Sequence, residues 1–536
     1  MKKLKLVCVA IAMAGAAPTF AGGLLTNTNQ HVAFNRMMSR EASIGIDGVY
    51  YNPAGVVFMG EGHHLAINWQ LAYQTRTINN DYKLFTNNVN NPITPRDFKG
   101  KAFAPVIPSF QYAYNKGKWS FQANFSLTGG GGKCTFDDGL GSFEKIVSET
   151  AIAACGLAGV VDQTLGNKLG QPGMEMFTSD QAFGKTGKYS FNSYMHGRQY
   201  YYGLSAGAAY KFCDNFSAFL GVRGVYALTN YYGYVENINV GNMPLYKVLD
   251  PTKENAANIE LSCDQTGVGF TPIIGVDYKT GRWNFSAKYE FKTRIRLKNK
   301  SVNQTPSIGN LPANLANQMT GILTARYQQA GLPLEQAKQR AENTTNAVLN
   351  DPTVGATMMG LKTQFDQKLN KAIGEYEDGK KIAGDIPGYL ALGIGYSPVD
   401  AVRVNVGFHW FDDKNATSYN NRNKELKRGT LEYNAGVEVD VNKKITLSTG
   451  WQNTNYGLSD EYMDDKSFVV GSNPAAIGGV YHINKKMDLN VAYFHTFYQH
   501  KKTTETVQLT ADRSKNYSSD YTRNNNVFAV GLDINF

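Results

Sequence analysis

The chain has 536 residues and a formal net charge of +10, and 12% of it is aromatic, with 32 tyrosines and 28 phenylalanines. Its basic residues are dispersed and form no dense run, which excludes nucleic acid as the reason for the positive balance. Beyond the N-terminal leader no stretch has the roughly 18 uninterrupted apolar residues of a membrane helix, so the chain is either a secreted soluble protein or one that crosses a membrane with strands.

At the N-terminus, Lys2, Lys3 and Lys5 precede an apolar run over 6–17, and the small residues Thr19 and Ala21 are placed for cleavage after Ala21. This reads as a secretory signal peptide over 1–21, too short in its apolar part to span a bilayer. Cys8 sits too early, and without small neighbours, to be a lipid-attachment cysteine. Residues 22–62 are too polar and irregular for a spanning strand and contain Asp47-Gly48-Val49-Tyr50-Tyr51-Asn52-Pro53-Ala54-Gly55. Such a segment, starting in the periplasm ahead of the first strand, is expected to fold up into a barrel as a plug.

From residue 63 onward, alternation and turn chemistry predict strands over 64–78, 106–115, 119–130, 200–212, 216–231, 267–278 and 283–297. They continue over 388–396, 402–411, 430–441, 445–456, 476–483, 487–500 and 526–536. Tight turns such as Asn115-Lys116-Gly117-Lys118 and Lys279-Thr280-Gly281-Arg282 alternate with long connections. An even strand number with short turns at one end and long loops at the other is the pattern of a bacterial outer-membrane barrel. The last strand carries Phe528, Val530, Leu532, Ile534 and Phe536 on one face and Val527, Ala529, Gly531, Asp533 and Asn535 on the other. In the tenth, Leu431, Tyr433, Ala435, Val437 and Val439 oppose Glu432, Asn434, Gly436, Glu438 and Asp440. Charge confined to one face is expected of a wall with lipid outside and a polar lumen inside, because Arg or Lys toward lipid at mid-membrane costs about 2–4 kcal/mol. A secreted β-sandwich would also alternate, but without aromatic residues gathering at the strand ends. The expected fold is therefore all-β, a 14-stranded antiparallel transmembrane barrel with the N-terminal segment inside it.

Two outer loops, about 135–187 and 301–380, are long and read as helical. Leu311, Leu315, Met319 and Ile322 form one apolar stripe, and Val354, Met358, Leu361, Phe365, Leu369 and Ile373 another. The stripes either pack on each other or line an apolar groove outside the cell, with Met319, Ile322, Met358, Leu361 and Phe365 as groove candidates. Cys134 and Cys155 share one predicted outer loop and could pair, whereas Cys213, in a periplasmic turn, is expected to stay unpaired. No CxxC or His-rich cluster suggests a metal site, and no cofactor is expected.

In layout the chain resembles the FadL/TodX family of outer-membrane transporters for hydrophobic compounds. The residues that carry the likeness are Asn52-Pro53-Ala54, followed by Gly55, in the pre-barrel segment, and Asp385-Ile386-Pro387 ahead of the Leu-Gly-rich run Leu390-Ala391-Leu392-Gly393-Ile394-Gly395. The chain departs from the family in having bulky Phe34-Asn35-Arg36-Met37-Met38 and Gly45-Ile46-Asp47-Gly48 where small residues and an acidic stretch are usual. The resemblance implies a hatch over 22–62, a barrel over 63–536 and passive uptake of hydrophobic compounds, with long-chain fatty acids favoured. It further implies lateral release into the membrane through an inward kink of the third strand, which here would fall at Gly129, Gly130, Gly131 and Gly132.

A fatty-acid carboxylate in an apolar pocket would need a cation. The lumen-facing basic candidates are Arg223, Lys288, Lys292, Arg294 and Arg403, of which Lys288 and Arg403 are nominated; lumen acids such as Glu290, Glu432 and Glu438 compete for them. Expected partners are hydrophobic small molecules, outer-membrane lipid and lipopolysaccharide, and the barrel-assembly machinery through the Phe536 strand, with no nucleic acid. The alternative readings are a surface adhesin, which leaves the plug unexplained, and an outer-membrane hydrolase, for which His409 and His495 lack a recognisable partner motif.

Overall fold

The computed structural model describes residues 24–510 and 513–536. The leader assigned to 1–21, Cys8 included, lies outside the described residues.

Fourteen antiparallel strands close on themselves. In chain order they are β1 Gly62–Asn80, β2 Arg96–Lys116, β3 Trp119–Phe136, β4 Tyr189–Cys213, β5 Phe216–Val240 and β6 Ile259–Thr280. β7 is built from Trp283–Glu290 and Arg296–Gln304, and β8 from Lys381–Ala383 and Tyr389–Val399. β9 is Val402–Phe411, β10 Thr430–Asn442, β11 Ile445–Asn455 and β12 Ser472–Asn484. β13 is built from Met487–Tyr498 and Lys501–Thr510, and β14 is Arg513–Asn535. Each strand pairs with its sequence neighbour, and β1 closes the wall against β14 from His64↔Asn535 to Asn80↔Ser519. Closure satisfies the backbone hydrogen bonds internally, as a spanning sheet in hydrocarbon must.

The face assignments hold. Val527 and Ala529 are buried while Phe528 points outward, and His409, Glu432 and Asn434 are buried while Val406 and Tyr433 are exposed. Trp119, Phe212, Tyr278, Trp283, Tyr396 and Tyr481 stand exposed beside the short turns and form an aromatic girdle at one interface. Every turn and most lower strand ends match the sequence reading. The upper ends run further: β4 and β5 have 25 residues each, well over the roughly 9–11 needed to cross. Above the bilayer the outer face no longer needs apolar residues, so the alternation that marks a strand fades there. Arg294 is a related correction, because it is exposed on the outer face, and Ile295 and Leu297 face inward at this level.

Residues 24–60 lie within the wall. Their helices α1 (Val32–Met37) and α2 (Gly48–Tyr51) are buried throughout. α1 packs against the inner faces of β11, β12, β13 and β14. The approach is close because the wall is cut back: a Cβ on Gly436 or Gly450 would strike the Met37 carbonyl oxygen.

Over the outer mouth sit α3 (Gly141–Leu169), the short α4 (Tyr246–Leu249), α5 (Leu311–Gln329), α6 (Leu334–Leu349) and α7 (Pro352–Ile373). α3 is long and apolar enough in composition to cross a membrane. It instead buries Phe143, Val147, Val161 and Leu165 in the cap, in one cluster with Leu315, Met319 and Leu323. The four described cysteines are free thiols. The Cys134–Cys155 pairing that the sequence left open does not form: Cys134 is buried in β3, while the Cys155 thiol on α3 donates to the Phe183 carbonyl at 3.4 Å.

Candidate functional site

Three regions bear on a candidate site: an apolar cavity in the cap, an interruption of the wall and the polar lumen. The outermost is a cavity of about 130 Å³ in the cap, lined by Leu157 and Val161 of α3, Leu249 of α4, Leu315 of α5, and Leu361 and Phe365 of α7, with Ile238 and Ile259 from the strand ends. Of the groove candidates, Leu361 and Phe365 line it, Met358 packs partly buried beside the same cluster, and Met319 is fully buried beneath it. Ile322 is exposed, and Leu323 takes the inward position. Four-residue steps from Leu311 lead through Leu315 and Met319 to Leu323, as a helix of 3.6 residues per turn favours. The side chains of Leu369 and Ile373 lie outside the described residues.

The second region is an interruption of the wall. β2 and β3 pair from Lys116↔Trp119 to Phe110↔Phe125 and again from Ala102↔Cys134 to Gly100↔Phe136. Between these stretches, 103–109 and 126–133 make no ladder with each other. β3 stays attached to β4 through two bulges, at Leu127/Gly129 and Gly130/Gly132. Gly130 and Gly132 have φ of 70° and 117°, values open to glycine at no steric cost. The four-glycine run therefore lies within the strand at the interruption, not in the loop beyond it. Pro105 and Pro108 occupy the facing stretch of β2 and have no N–H to donate. These prolines are residues the sequence reading missed. Their signal was present: two prolines in an alternating segment mark a strand edge, and here that edge is inside the wall.

The N-terminal segment covers the interruption from within. Thr26 bridges Gly129, the Asn27 N–H donates to the Thr128 carbonyl at 2.9 Å, and Asn27 Nδ2 donates to the Gly130 carbonyl at 2.6 Å. Gln30 Nε2 reaches the Leu127 carbonyl at 2.9 Å. Behind these contacts Ala104, Ile107 and Leu127 form one apolar cluster with Phe34, Tyr50 and Tyr51. On the outer surface Phe103 and Val106 are exposed.

The Asn-Pro-Ala motif sits lower and is docked at every residue. Asn52 Nδ2 donates to Asp277 Oδ2 at 2.5 Å, and Asn52 Oδ1 accepts from the Gly55 N–H at 3.1 Å. The Pro53 carbonyl accepts from Gln122 and the Ala54 carbonyl from Ser217, each at 2.7 Å. The motif thus clamps the segment to β3, β5 and β6.

The third region is the polar lumen. Arg36 pairs with Glu438, Arg40 with Asp47 at 2.7 Å, and His409 lies between Glu41 (2.7 Å) and Glu432 (2.8 Å), all buried. His409 therefore has partners that the sequence did not reveal, one from the plug and one from the wall. Of the nominated cations, Lys288 donates to Glu290 at 2.9 Å and to the Tyr50 carbonyl at 2.6 Å. Glu290 also holds Arg223, at 2.6 and 2.9 Å. Arg403 pairs with Glu438 at 2.8 Å and with Asp440 at 2.5 Å, next to the short turn at Asp400. Both nominated cations are thus held by the wall's own acids. Lys292 donates to the Asn415 carbonyl at 3.1 Å. Two further lumen cations, Arg76 and Arg523, were not nominated. They face each other across β1 and β14, a register that joins the two ends of the chain and that no local pattern discloses.

No protein-family model matches the chain, and no curated protein does. Solved structures do. A FadL homologue of Pseudomonas aeruginosa superposes with a TM-score of 0.56 at 13% identity, covering 96% of this chain and 100% of its own. The toluene transporters TodX of P. putida (TM-score 0.47, 11% identity, 92% and 94% covered) and TbuX of Ralstonia pickettii (0.45, 13%, 92% and 94%) follow. At these identities the likeness is one of fold. The chain is a closed 14-stranded barrel of the Gram-negative outer membrane.

Proposed function

We propose that the protein is a passive channel for hydrophobic compounds, with long-chain fatty acids as the favoured cargo. An apolar molecule gains little from a water-filled pore, and a plugged lumen offers none. The observation that carries the reading is the unpaired stretch between β2 and β3, backed by an apolar cluster inside and open to lipid outside. Capture in the outer cavity, passage along the apolar cap, withdrawal of residues 24–30 from the kink and sideways exit into the bilayer form one continuous route. The plug corresponds to 22–62, with Asn52, Pro53, Ala54 and Gly55 as its anchor and 129–132 as the exit. Leu361 and Phe365 serve the outer groove.

The test is uptake of radiolabelled oleate, and separately of toluene, by cells lacking their own transporters for hydrophobic compounds. The protein is compared with a variant carrying Val-Thr-Val-Thr at 129–132, which cannot hold the two left-handed backbone positions. Equal surface levels and heat-modifiable migration serve as controls. The reading expects uptake by the parent and a loss of at least tenfold in the variant. Undiminished uptake in the variant removes the side exit, and no uptake of either compound by the parent removes the channel.

A further inference from the structure

Arg76 and Arg523 stand at directly facing positions of β1 and β14, both turned into the lumen and both buried. Like charges at such positions repel. Arg76 is fully buried; its Nε donates to Gln74 Oε1 at 3.2 Å, while Nη1 and Nη2 have no hydrogen-bond partner. The ionisable groups that bear on it are Arg523, the Cys134 thiol and the Tyr498 hydroxyl, so among the described residues no carboxylate neutralises it. Arg523 meets the Tyr498 hydroxyl. Both guanidinium groups lie against the ring of Phe468, at 5.8 Å for Arg76 and 5.0 Å for Arg523. This is the reverse of the other lumen cations Arg36, Arg40, Arg223, Lys288 and Arg403, each of which is paired with an acid. A buried guanidinium with two nitrogens unmet is costly to keep, and an unsatisfied buried group asks for the partner that completes it.

The position of the pair suggests what that partner is. Immediately above, Ile78 and Tyr521 face each other and belong to the apolar cluster that runs up into the cap. Below, past Gln74 and Asn525, Ala72 and Val527 belong to the cluster of Ala104, Ile107 and Leu127 behind the wall interruption. Gln74 is opposite Ala102, the residue at which the β2–β3 ladder resumes. Arg76 is two residues further out, about 7 Å above the interruption at the rise of a strand.

We propose that Arg76, with Arg523 beside it, receives the oxyanion headgroup of a single-chain amphiphile whose hydrocarbon tail lies along the apolar cluster toward the β2–β3 interruption. A paired guanidinium fork suits a carboxylate or a phosphate monoester, whereas a neutral hydrocarbon leaves the Nη groups unmet. The proposal deepens the channel reading and rests on it for its place in transport, but binding is measurable apart from uptake.

The experiment is equilibrium binding of decanoate, decyl phosphate and decanol to the purified full-length protein in a non-ionic detergent, for the parent, Arg76→Gln and Arg76→Lys. The expected result is that at least one of the two anions binds the parent tenfold or more tightly than decanol, and which one binds identifies the headgroup. Arg76→Gln loses that preference while its decanol binding changes less than twofold, and Arg76→Lys keeps part of it. Equal binding of all three probes by the parent overturns the proposal. So does undiminished anion binding by a heat-modifiable Arg76→Gln barrel. If that variant does not fold, the parent's anion-to-decanol ratio decides alone. Cells that take up neither oleate nor toluene while the purified protein still prefers decanoate would sink the channel and leave the anion site standing.

Discussion

The two sides of the lumen hold the plug by different means. On the side of β8 to β12 the contacts are ionic and buried: Arg36 to Glu438, and Glu41 through His409 to Glu432, with Asn405 holding Ser43 at 2.8 Å. On the side of β1 to β4 the segment 25–30 is held by neutral hydrogen bonds, to the kinked β3 and to Gln70, Ser109 and Gln111 of its neighbours. A neutral hydrogen bond contributes about 0.5–1.5 kcal/mol net, while breaking a buried charge pair costs about 3–5 kcal/mol. The plug is therefore held by buried charge pairs where the wall is complete and by neutral hydrogen bonds, each cheaper to break, where the wall is open. The proposed withdrawal of its first residues from the interruption draws on that difference.

The largest effect should come from breaking the strong side. His409→Ala leaves Glu41 and Glu432 facing each other in a buried site with no cation between them. The docking of the plug should weaken by about 3–5 kcal/mol, read as a rise in ion conductance across planar bilayers with the barrel still heat-modifiable. Conductance equal to the parent's would show that the ionic side does not hold the plug. Next in size is the outer cavity. Phe365→Ala removes a lining ring, and capture should weaken by about 1.5–3 kcal/mol, read as a raised half-saturation for uptake with the maximal rate kept. A fall in the maximal rate alone would take the cavity out of the entry route. On the weak side, Asn27→Ala removes the side-chain bonds to the Gly130 and Leu127 carbonyls. A loss of about 1 kcal/mol should speed uptake a few-fold and leave conductance alone. A conductance rise matching that of His409→Ala would abolish the contrast between the two sides.

The barrel could be read from the sequence because lipid enforces a two-residue period on each crossing, as Val402 to Phe411 shows by matching end to end. Outside the bilayer that enforcement stops, so the alternation is legible only from residue 106 in β2, which begins at Arg96, and from 200 in β4, which begins at Tyr189. Ile322 turns outward and Leu323 inward for a smaller reason, since three- and four-residue steps fit one stripe equally until the neighbouring helices choose. The site is harder to read than the fold. Gly129 to Gly132 are visible as a run, but their meaning depends on Pro105 and Pro108 across the interruption and on Thr26 lying against Gly129. His409 has its partners 368 and 23 residues away. Contacts at such separations follow from closure of the wall, not from local pattern.

The smallest expected effect concerns the outer loops, where pH sharpens the difference between cap and lumen. Glu375, beside Tyr376 at the end of the 301–380 loop, is pushed up to about 7 by burial, against the pull of Lys466 and Arg422. Asp465 is raised as well, by burial and then by the neighbouring Asp464 charge, and its Oδ2 accepts from the Ser142 N–H at the start of α3, at 2.7 Å. For an acid whose folded pKa is raised, the folded state binds more protons than the unfolded one, so stability falls as pH rises. The penalty is absent below the ordinary value near 4.5, grows up to about pH 7 and is constant beyond it. With Glu375 partly exposed, about 1 kcal/mol is the reasonable scale. Hydrogen exchange of the 456–471 loop and the first turn of α3 should therefore be faster at pH 8 than at pH 5, after correction for the intrinsic rate. Glu375→Gln should remove part of that difference. The plug segment should show no matching change. Equal loosening of cap and plug would mean that the two move as one body, and the outer loops would then be part of the gate.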